Sequence, residues 1–450
     1  MVNPGRSAIR AIETAPTPSV SARSTAAVTM AGTLRPGLGA CSSPRPQSSS
    51  GPAGSLSFVV LAFVACDRPA QGGNPAVAFE AYDRTADNAG VYLTLAVNAL
   101  DALRAIDVDV RGLGFDTPRI TISSGSGRKL GELPYGAALA DGAVSRTVKR
   151  ADLYRALREQ AVRCGVPFEY GKRLVAAESA DGGVRARFAD GTSAEGGLLI
   201  GADGLRSRTR EIIDPGVPGA RYTGLLNTGG YARGVPAGEP GRMHAIFGRR
   251  CFFAHTAHPD GEVWWVANPA SATEPSPAEP AAIGPQEWRS RLIDLFRRDH
   301  GPAVDIIAAT GEIFSGWNTY DVPRVPRWHR ERMIVIGDAA HATAPSIGQG
   351  AAMAIEDAVV PARCPRDSPS VETAFTAYER LRRERVERVV AQGNRTGGWK
   401  ALGPGPGAAR RRHEPGRETH GPHRGRPEPV DLRAPPRLGR AGPGLNVSGP

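Results

Sequence analysis

The sequence RMIVIGDAAHATAPSIGQGAAMAIEDAVV, residues 332–360, decides the fold, because it combines an apolar strand, a Gly-Asp pair and the start of a helix. The apolar residues 333–336 are predicted to form a buried strand of an open α/β sheet. Such sheets bind ligands at the carboxyl ends of their strands, where Gly337 and Asp338 stand. The Asp338 carboxylate can accept hydrogen bonds from sugar hydroxyl groups.

The loop that follows this Gly-Asp pair is suited to a planar ligand. Pro345 stiffens the loop, whereas Gly348 and Gly350 carry no side chain and let the backbone approach a ring system. A helix is predicted from about residue 351, and its amino-terminal end would point a partial positive charge at that ring.

A second stretch, LIGADGLRSRTR at residues 199–210, places another Asp-Gly pair, Asp203 and Gly204, after a strand. Taken alone, this pair also fits a hairpin turn or a helix start beside a solvated arginine cluster. Two further residues are candidates for the same site. Glu80 closes a short β run, where a dinucleotide-binding fold places its ribose ligand, and Arg150 opens an amphipathic helix.

Residues 332–360 closely resemble the GD motif, and residues 199–210 the DG motif, of the FAD-dependent aromatic hydroxylases, such as para-hydroxybenzoate and salicylate hydroxylases. This resemblance to class A flavoprotein monooxygenases covers roughly residues 76–400. It implies that Asp338 bonds the ribityl chain of FAD and that the loop with Gly348 and Gly350 faces the flavin. The other cofactor-binding residues that it implies are Glu80 at the adenosine ribose, Arg150, Asp203 and Gly204 near the pyrophosphate, Gly337 and Pro345.

The resemblance also implies the reaction. Members of the family use NAD(P)H and O2 with FAD to hydroxylate or epoxidise an electron-rich substrate, here expected to be a small aromatic or polyketide-like molecule. Because the cofactor performs the oxidation, no catalytic residue is assigned from the sequence. His341 is expected to pack or to bond backbone rather than to act as a base. Related FAD-dependent reductases or halogenases remain an alternative function.

The expected fold class is α/β: a Rossmann-like FAD-binding domain, similar to that of para-hydroxybenzoate hydroxylase, with an inserted β-sheet substrate lobe. The FAD-binding domain is predicted at residues 51–220 and 326–400, and the lobe at 221–325 with a contribution from 111–140. Residues 1–50 and 401–450 are predicted to be disordered because they are rich in Pro, Gly, Ser and Arg.

Several aromatic and histidine side chains of the lobe are candidates to line the substrate pocket. Side chains alternate along a strand, so about half of them are expected to face the other side of the sheet. The candidates are Tyr231, His244, Phe252, Phe253, His255, Trp264 and Trp265.

The amino-terminal part departs from the family pattern. A dinucleotide-binding fold opens with an apolar strand that leads into GxGxxG, about two dozen residues before Glu80. Residues 49–54, SSGPAG, supply only the second half of such a motif, and the preceding CSSPRPQSS cannot form a buried strand. The first strand and the phosphate loop are therefore expected to be missing, which leaves an inactive, frameshifted or degenerate flavoprotein remnant as an alternative.

Charge and cysteine patterns exclude other classes of protein. Residues 1–50 contain five arginines and one acidic residue, and residues 401–450 contain nine arginines and four acidic residues. Most of the net charge of +11 therefore lies outside the predicted domains. This distribution argues against nucleic-acid binding. The five cysteines are scattered without a CxxC pair, which predicts neither disulfides nor a metal site and favours the cytoplasm. No apolar run is long enough to span a membrane.

Overall fold

The computed structural model describes residues 27–31, 76–82, 90–106, 108–180, 182–236, 238–276, 278–363 and 370–401. In chain order, the strands are β1 (Ala27–Ala31), β2 (Ala76–Glu80), β3 (Tyr92–Leu95), β4 (Phe115–Asp116), β5 (Arg119–Ser124), β6 (Lys129–Pro134), β7 (Arg146–Lys149), β8 (Phe168–Tyr170), β9 (Leu174–Ala180), β10 (Gly183–Phe188), β11 (Ser193–Gly196), β12 (Leu198–Gly201), β13 (Arg221–Ala232), β14 (Arg242–Phe247), β15 (Cys251–Ala257), β16 (Val263–Pro269), β17 (Thr310–Asp321), β18 (His329–Arg330) and β19 (Met333–Val335). The helices are α1 (Val97–Arg104), α2 (Arg150–Arg163), α3 (Arg208–Ile213), α4 (Ala278–Ala282), α5 (Pro285–Phe296), α6 (Ala303–Ala308), α7 (Asp338–His341), α8 (Gly350–Arg363) and α9 (Val371–Ala401).

The first sheet contains the two strands that precede the Asp-Gly pair at residues 203–204 and the Gly-Asp pair at residues 337–338. Its order is β18-β19-β12-β1-β2-β8, with β12 parallel to β19 and β2 parallel to β8. Strand β1 is antiparallel to both of its neighbours, so β2, β8, β12 and β19 all run in one direction. Their apolar side chains form one core with α1, α2 and α8. This mixed α/β architecture confirms the expected fold class.

The centre of this sheet differs from the sequence-based expectation, which left it without a strand. Ala27–Ala31, within the segment expected to be disordered, lies between β2 and β12 and pairs with both. The reason is that the backbone groups of two buried strands need hydrogen-bond partners. A five-residue run, AVTMA, suffices to supply them. The rest of residues 1–50, the motif-like residues 49–54 and residues 402–450 lie outside the described residues.

The second sheet is the inserted β-lobe. It has seven strands in the order β17-β13-β16-β15-β14-β5-β6, and β5 and β6 come from the segment 111–140. Helices α5 and α6 cover one face, where Phe253 and Phe296 pack with ring centroids 5.3 Å apart. The other face looks toward β3 and β7, since the Tyr231 hydroxyl donates to the carbonyl of Val91, next to β3, at 2.8 Å.

Two smaller sheets complete the architecture, β11-β10-β9 and β3-β7-β4. Helix α8 continues through Pro361 to Arg363. In the described part of the chain, no helix is both long and apolar enough to cross a membrane.

Candidate functional site

Three acidic residues from distant parts of the chain lie along one edge of the first sheet. Glu80 is the last residue of β2, Asp203 follows the end of β12 by two residues, and Asp338 follows β19 at the start of α7. Because these three strands are parallel, their carboxyl ends share that edge. The fold therefore brings together the three carboxylates that the sequence analysis selected.

Gly337 forms the turn that presents Asp338. Its backbone has φ 57° and ψ −138°, a conformation that residues with a side chain rarely adopt. The Gly337 amide donates a hydrogen bond to Asp357 Oδ2 at 2.9 Å, which fixes the turn to helix α8.

The Asp338 carboxylate is half-buried and open to a ligand. Within the described ranges, no group donates a hydrogen bond to it, whereas the cationic Arg150 and the ring of His341 act on it electrostatically. Burial raises the pKa of Asp338 above its usual value, and Arg150 and His341 oppose that rise. Burial likewise lowers the pKa of Arg150, and Asp338 opposes this change. A carboxylate with free acceptor oxygens beside a cation can accept hydrogen bonds from the hydroxyl groups of a ligand.

A buried ionic network lies directly behind the Gly-Asp turn. His341 Nε2 forms a short hydrogen bond with Asp357 Oδ2, and Arg382 Nε donates to Asp357 Oδ1 at 2.6 Å. Arg382 also pairs with Glu356, which accepts a further bond from Asn98 at 2.6 Å. Burial acts to raise the pKa of Asp357, but His341 and Arg382 outweigh it and hold that pKa well below its usual range.

The network has a positioning role. His341 is 4% exposed and bonds a carboxylate, so it holds the turn and does not face a ligand. The ring of His341 bonds the Asp357 carboxylate, whereas the sequence analysis expected His341 to pack or to bond backbone. Arg382 and Glu356 were missed by the sequence analysis, because a single charged residue in a helix gives no sign of burial.

The loop between α7 and α8 contains one helical turn and two glycines. Pro345–Ile347 forms a 3₁₀ turn, and Gly348 ends it with φ 64°, in the left-handed region. A Cβ at Gly348 would lie 3.1 Å from the hydroxyl oxygen of Tyr135. Gly350 begins the 14-residue helix α8. Bare backbone, a helix amino terminus and a tyrosine hydroxyl thus meet at this loop.

Asp203 differs in its surroundings from Asp338. Its carboxylate accepts hydrogen bonds from Ser207, which is a short contact, and from the amide and hydroxyl of Thr209, each at 2.9 Å. Burial raises the pKa of Asp203, and these hydrogen bonds oppose the rise. Its acceptors therefore secure the start of α3, and Gly204, which follows with φ 73°, is buried like Asp203.

Arg210 joins the two motifs physically. Its guanidinium donates to the carbonyl of Ala339 in α7 at 2.9 Å and to the carbonyl of Leu205 at 2.7 Å.

At the third position of the edge, Glu80 is 1% exposed and accepts a hydrogen bond from the Tyr82 amide at 3.0 Å. The edge is thus held together by side chains as well as by the sheet.

The lobe divides its candidate pocket residues between two faces, as the alternation predicted. Tyr231, Phe252 and Trp264 lie on the inner face, the one toward β3 and β7, where the rings of Tyr231 and Trp264 are 5.9 Å apart. The residues on the helix-covered face are Phe253, Trp265, His244 and His255. His244 and His255 stack at 4.7 Å, and burial lowers the pKa of His255 to about 3, so this ring stays neutral.

Two tyrosines that the sequence analysis missed border the inner face of the lobe. The Tyr92 hydroxyl points at the sulfur of Met243 at 4.0 Å, and Tyr135 reaches the Gly348 loop. Burial raises the pKa of both tyrosines, so they stay protonated at neutral pH. The signal that could have found Tyr135 is its place at the end of a hairpin strand, opposite the start of β5.

Comparison with known proteins gives a consistent result. The family described as FAD binding domain matches residues 129–392. The aurachin C monooxygenase/isomerase of Stigmatella aurantiaca is 28% identical over 71% of this chain and 83% of its own length. The 2-heptyl-3-hydroxy-4(1H)-quinolone synthase of Mycobacteroides abscessus is 30% identical over 67% and 77%, respectively. The crystal structure of Klebsiella pneumoniae HpxO complexed with FAD and uric acid is similar with a TM-score of 0.65 and 25% identity, covering 77% of this chain and 87% of HpxO.

Proposed function

The chain belongs to the FAD binding domain family and is an FAD-dependent monooxygenase, and from this premise we propose where its cofactor and substrate bind. We propose that a small aromatic or polyketide-like substrate is hydroxylated or epoxidised on the inner face of the lobe. The observation that carries the proposal is the nearness of the Tyr135 hydroxyl, at the edge of that face, to Gly348, where an added Cβ would lie 3.1 Å from it.

Bound FAD, with NAD(P)H as reductant and O2 as oxidant, supplies the oxidation chemistry. Asp338 would hold the ribityl hydroxyls, because its oxygens are free of other donors in the described part of the protein. Pro345, Gly348 and Gly350 would place backbone against the ring. Gly337 shapes the turn and Arg150 provides the nearby positive charge.

The remaining site residues would serve the other half of the cofactor. Glu80 would bond the adenosine ribose from the end of β2, as the fold places it at the shared edge. Asp203 and Gly204 would lie near the pyrophosphate, and Asp203 would act there indirectly because Ser207 and Thr209 already occupy its oxygens.

The inner face of the lobe would bind the substrate and exclude water. Phe252, Trp264 and Met243 present apolar surface there, which suits a flat ring. The relatives named above refer to a quinolone and to uric acid, both compact ring systems, and this supports an aromatic substrate for the chain. We also propose that residues 51–220 and 326–400, with strand β1 added, form the FAD-binding domain, that residues 221–325 with 111–140 form the lobe, and that the protein is cytoplasmic.

Replacement of Asp338 tests the cofactor site. The variant Asp338→Ala removes the acceptor for charge-assisted hydrogen bonds of about 1.5–3 kcal/mol, so FAD affinity should fall by about tenfold or more. The matched control is Asp305→Ala, an exposed aspartate in α6. The measurement is the dissociation constant for FAD from quenching of flavin fluorescence. Equal FAD affinities of Asp338→Ala and the unmodified chain would remove Asp338 from the site.

One observation favours the second candidate, a remnant with impaired cofactor binding. Because β1 is antiparallel to its neighbours, its carboxyl end at Ala31 lies at the edge opposite to Asp338, and Ala27 pairs with Glu80. A first strand in this direction cannot lead directly into a phosphate loop at the cofactor edge. The flavin content of the purified chain distinguishes the two candidates, because only the remnant should lack bound FAD. Formation of a hydroxylated product with NAD(P)H in the absence of halide would identify a monooxygenase and exclude a reductase or a halogenase.

A further inference from the structure

A row of hydroxyl groups crosses the sheet β3-β7-β4 and ends beside the Gly348 loop. Thr94 on β3 and Thr147 on β7 are directly opposite each other, and Thr117 follows β4. Thr147 Oγ1 lies 2.9 Å from Thr94 Oγ1 and 2.7 Å from Thr117 Oγ1. A side-chain hydrogen bond links Thr94 in turn to the hydroxyl of Tyr135. These four side chains form a continuous hydroxyl row.

The hydroxyl row is buried where it crosses the sheet. Thr117 and Thr147 are fully buried, so their hydroxyls must find hydrogen-bond partners within the protein. A hydroxyl donates one hydrogen bond and accepts up to two, so a row of hydroxyls donates in one direction along its length. The two ends of the row decide which direction this is.

The ends favour donation toward Tyr135. At the far end, the Thr117 hydroxyl lies 3.5 Å from the Phe115 carbonyl, which is the limit of a hydrogen bond. At the near end, burial raises the pKa of Tyr135, so its hydroxyl keeps its proton at neutral pH. The hydrogen bond with Thr94 acts to lower that pKa, as expected when Thr94 donates to the Tyr135 oxygen. The donors therefore run along the row from Thr117 to Tyr135.

This direction leaves the Tyr135 proton available to a ligand. In the part of the chain that the structure describes, no protein group accepts a hydrogen bond from the Tyr135 hydroxyl. The backbone of Tyr135 is fixed, because its amide donates to the Pro118 carbonyl at 2.7 Å and its carbonyl accepts a short hydrogen bond from Ser145. Its hydroxyl oxygen lies 3.1 Å from the position that a Cβ at Gly348 would take. A rigidly held donor thus stands beside the bare backbone of this loop.

We propose that Tyr135 donates a hydrogen bond to an acceptor atom of the flavin ring, and that the three threonines of the hydroxyl row position and polarise this donor. The inference rests on the proposed cofactor site, in which the ring lies against the Gly348 loop. Successive hydrogen bonds polarise one another, so the row strengthens the donor at its end. The threonines are positioning residues, because they act through Tyr135. The competing explanation is that their hydroxyls only hold the three strands together.

A double-mutant cycle on the dissociation constant for FAD, measured by quenching of flavin fluorescence, tests the proposal. Tyr135→Phe removes only the hydroxyl, so FAD should bind about fivefold more weakly and the visible absorption band of the bound flavin should shift. Thr147→Val interrupts the row and should weaken FAD binding by about threefold, whereas Thr147→Ser keeps the hydroxyl and should retain the affinity. In the Tyr135→Phe background, Thr147→Val should cause no further loss of affinity.

Thr228→Val is the matched control. Thr228 is a fully buried threonine of β13 whose hydroxyl donates to the Phe314 carbonyl at 2.6 Å, outside the hydroxyl row. Its replacement should leave both the FAD affinity and the absorption band unchanged. If Thr147→Val does not fold, Tyr135→Phe still decides the contact, because it removes one oxygen from a half-buried ring.

Three results would overturn the inference. Equal FAD affinities and absorption bands of Tyr135→Phe and the unmodified protein would remove the contact with the flavin. A loss in Thr147→Val that persists in the Tyr135→Phe background would show that the threonines act only on the sheet. Weaker binding of phenol by Tyr135→Phe in equilibrium dialysis, with unchanged FAD affinity, would assign the donor to the substrate.

Failure of the proposed function has a different signature. If the unmodified protein and the variants all bind FAD with equal affinity, the proposed cofactor site stands and only Tyr135 is removed from it. If the unmodified protein binds no FAD, the proposed cofactor site is overturned and the inference with it.

Discussion

Replacement of Arg382 by methionine should destabilise the protein more than any change of an exposed arginine. Arg382 is 1% exposed, pairs with Glu356 and Asp357, and thereby supports the turn at Gly337. Methionine keeps similar length and apolar packing but removes the charge, which leaves two buried carboxylates with fewer partners.

The magnitude follows from what remains after the substitution. Loss of one partner from a buried ion pair costs about 3–5 kcal/mol. Asp357 would keep His341 and the Gly337 amide, and Glu356 would keep Arg385 at 3.0 Å. The free energy of unfolding should therefore fall by about 3 kcal/mol, the lower end of this range. At roughly 2 °C per kcal/mol for a large domain, the melting temperature should fall by about 6 °C.

The assay is thermal unfolding followed by circular dichroism at pH 7, with Arg388→Met as the matched control. Arg388 lies in the same helix but is exposed, and its ion pair with Glu384 is worth about 0–1 kcal/mol. A fall of less than about 2 °C for Arg382→Met, or an equal fall for Arg388→Met, would refute the argument.

The pH dependence gives a further check on the same variant. Asp357 has a lowered pKa in the folded protein, so its stabilising contribution is present above its unfolded pKa and is lost as the pH falls through the folded value. Without Arg382 the folded pKa rises, and protonation relieves the buried charge at higher pH. The stability difference between the two proteins should therefore be largest near pH 7 and should narrow as the pH falls toward 4.

Two other predictions concern the loop and the amino-terminal part. Gly348→Ala should lower the free energy of unfolding in urea by about 1–2 kcal/mol, because Gly348 has φ 64° and a Cβ there would crowd Tyr135. In the control Gly311→Ala the added Cβ meets open space, so stability should be nearly unchanged. Equal losses of stability in the two variants would contradict the strain argument. Replacing residues 27–75 with an apolar strand followed by GxGxxG should increase FAD affinity, measured by flavin fluorescence. An unmodified chain that purifies with stoichiometric FAD would contradict this prediction.

The sequence alone determined the strand-turn-helix units and, through them, the family and its cofactor. The Gly-Asp pair with its later glycines is a local pattern, since a strand, a turn with positive φ and a helix start follow from consecutive residues. Gly337 and Gly348 do have positive φ, at 57° and 64°. The alternation of side chains along β15 and β16 likewise predicted that the sheet has two faces. Alternation alone does not say which face packs against helices and which faces β3 and β7.

Tertiary structure decided which residues meet. Strand β1 took the centre of the first sheet because its neighbours require hydrogen-bond partners, a demand that no local pattern in Ala27–Ala31 reveals. Asp203 and Asp338 look alike in sequence, yet only the fold shows that one caps a helix and the other stays open. The buried Lys400 donates a hydrogen bond to Asn268, which is 132 residues away in the chain. Contacts of this kind depend on long-range packing, whereas sequence patterns report on neighbours a few residues apart.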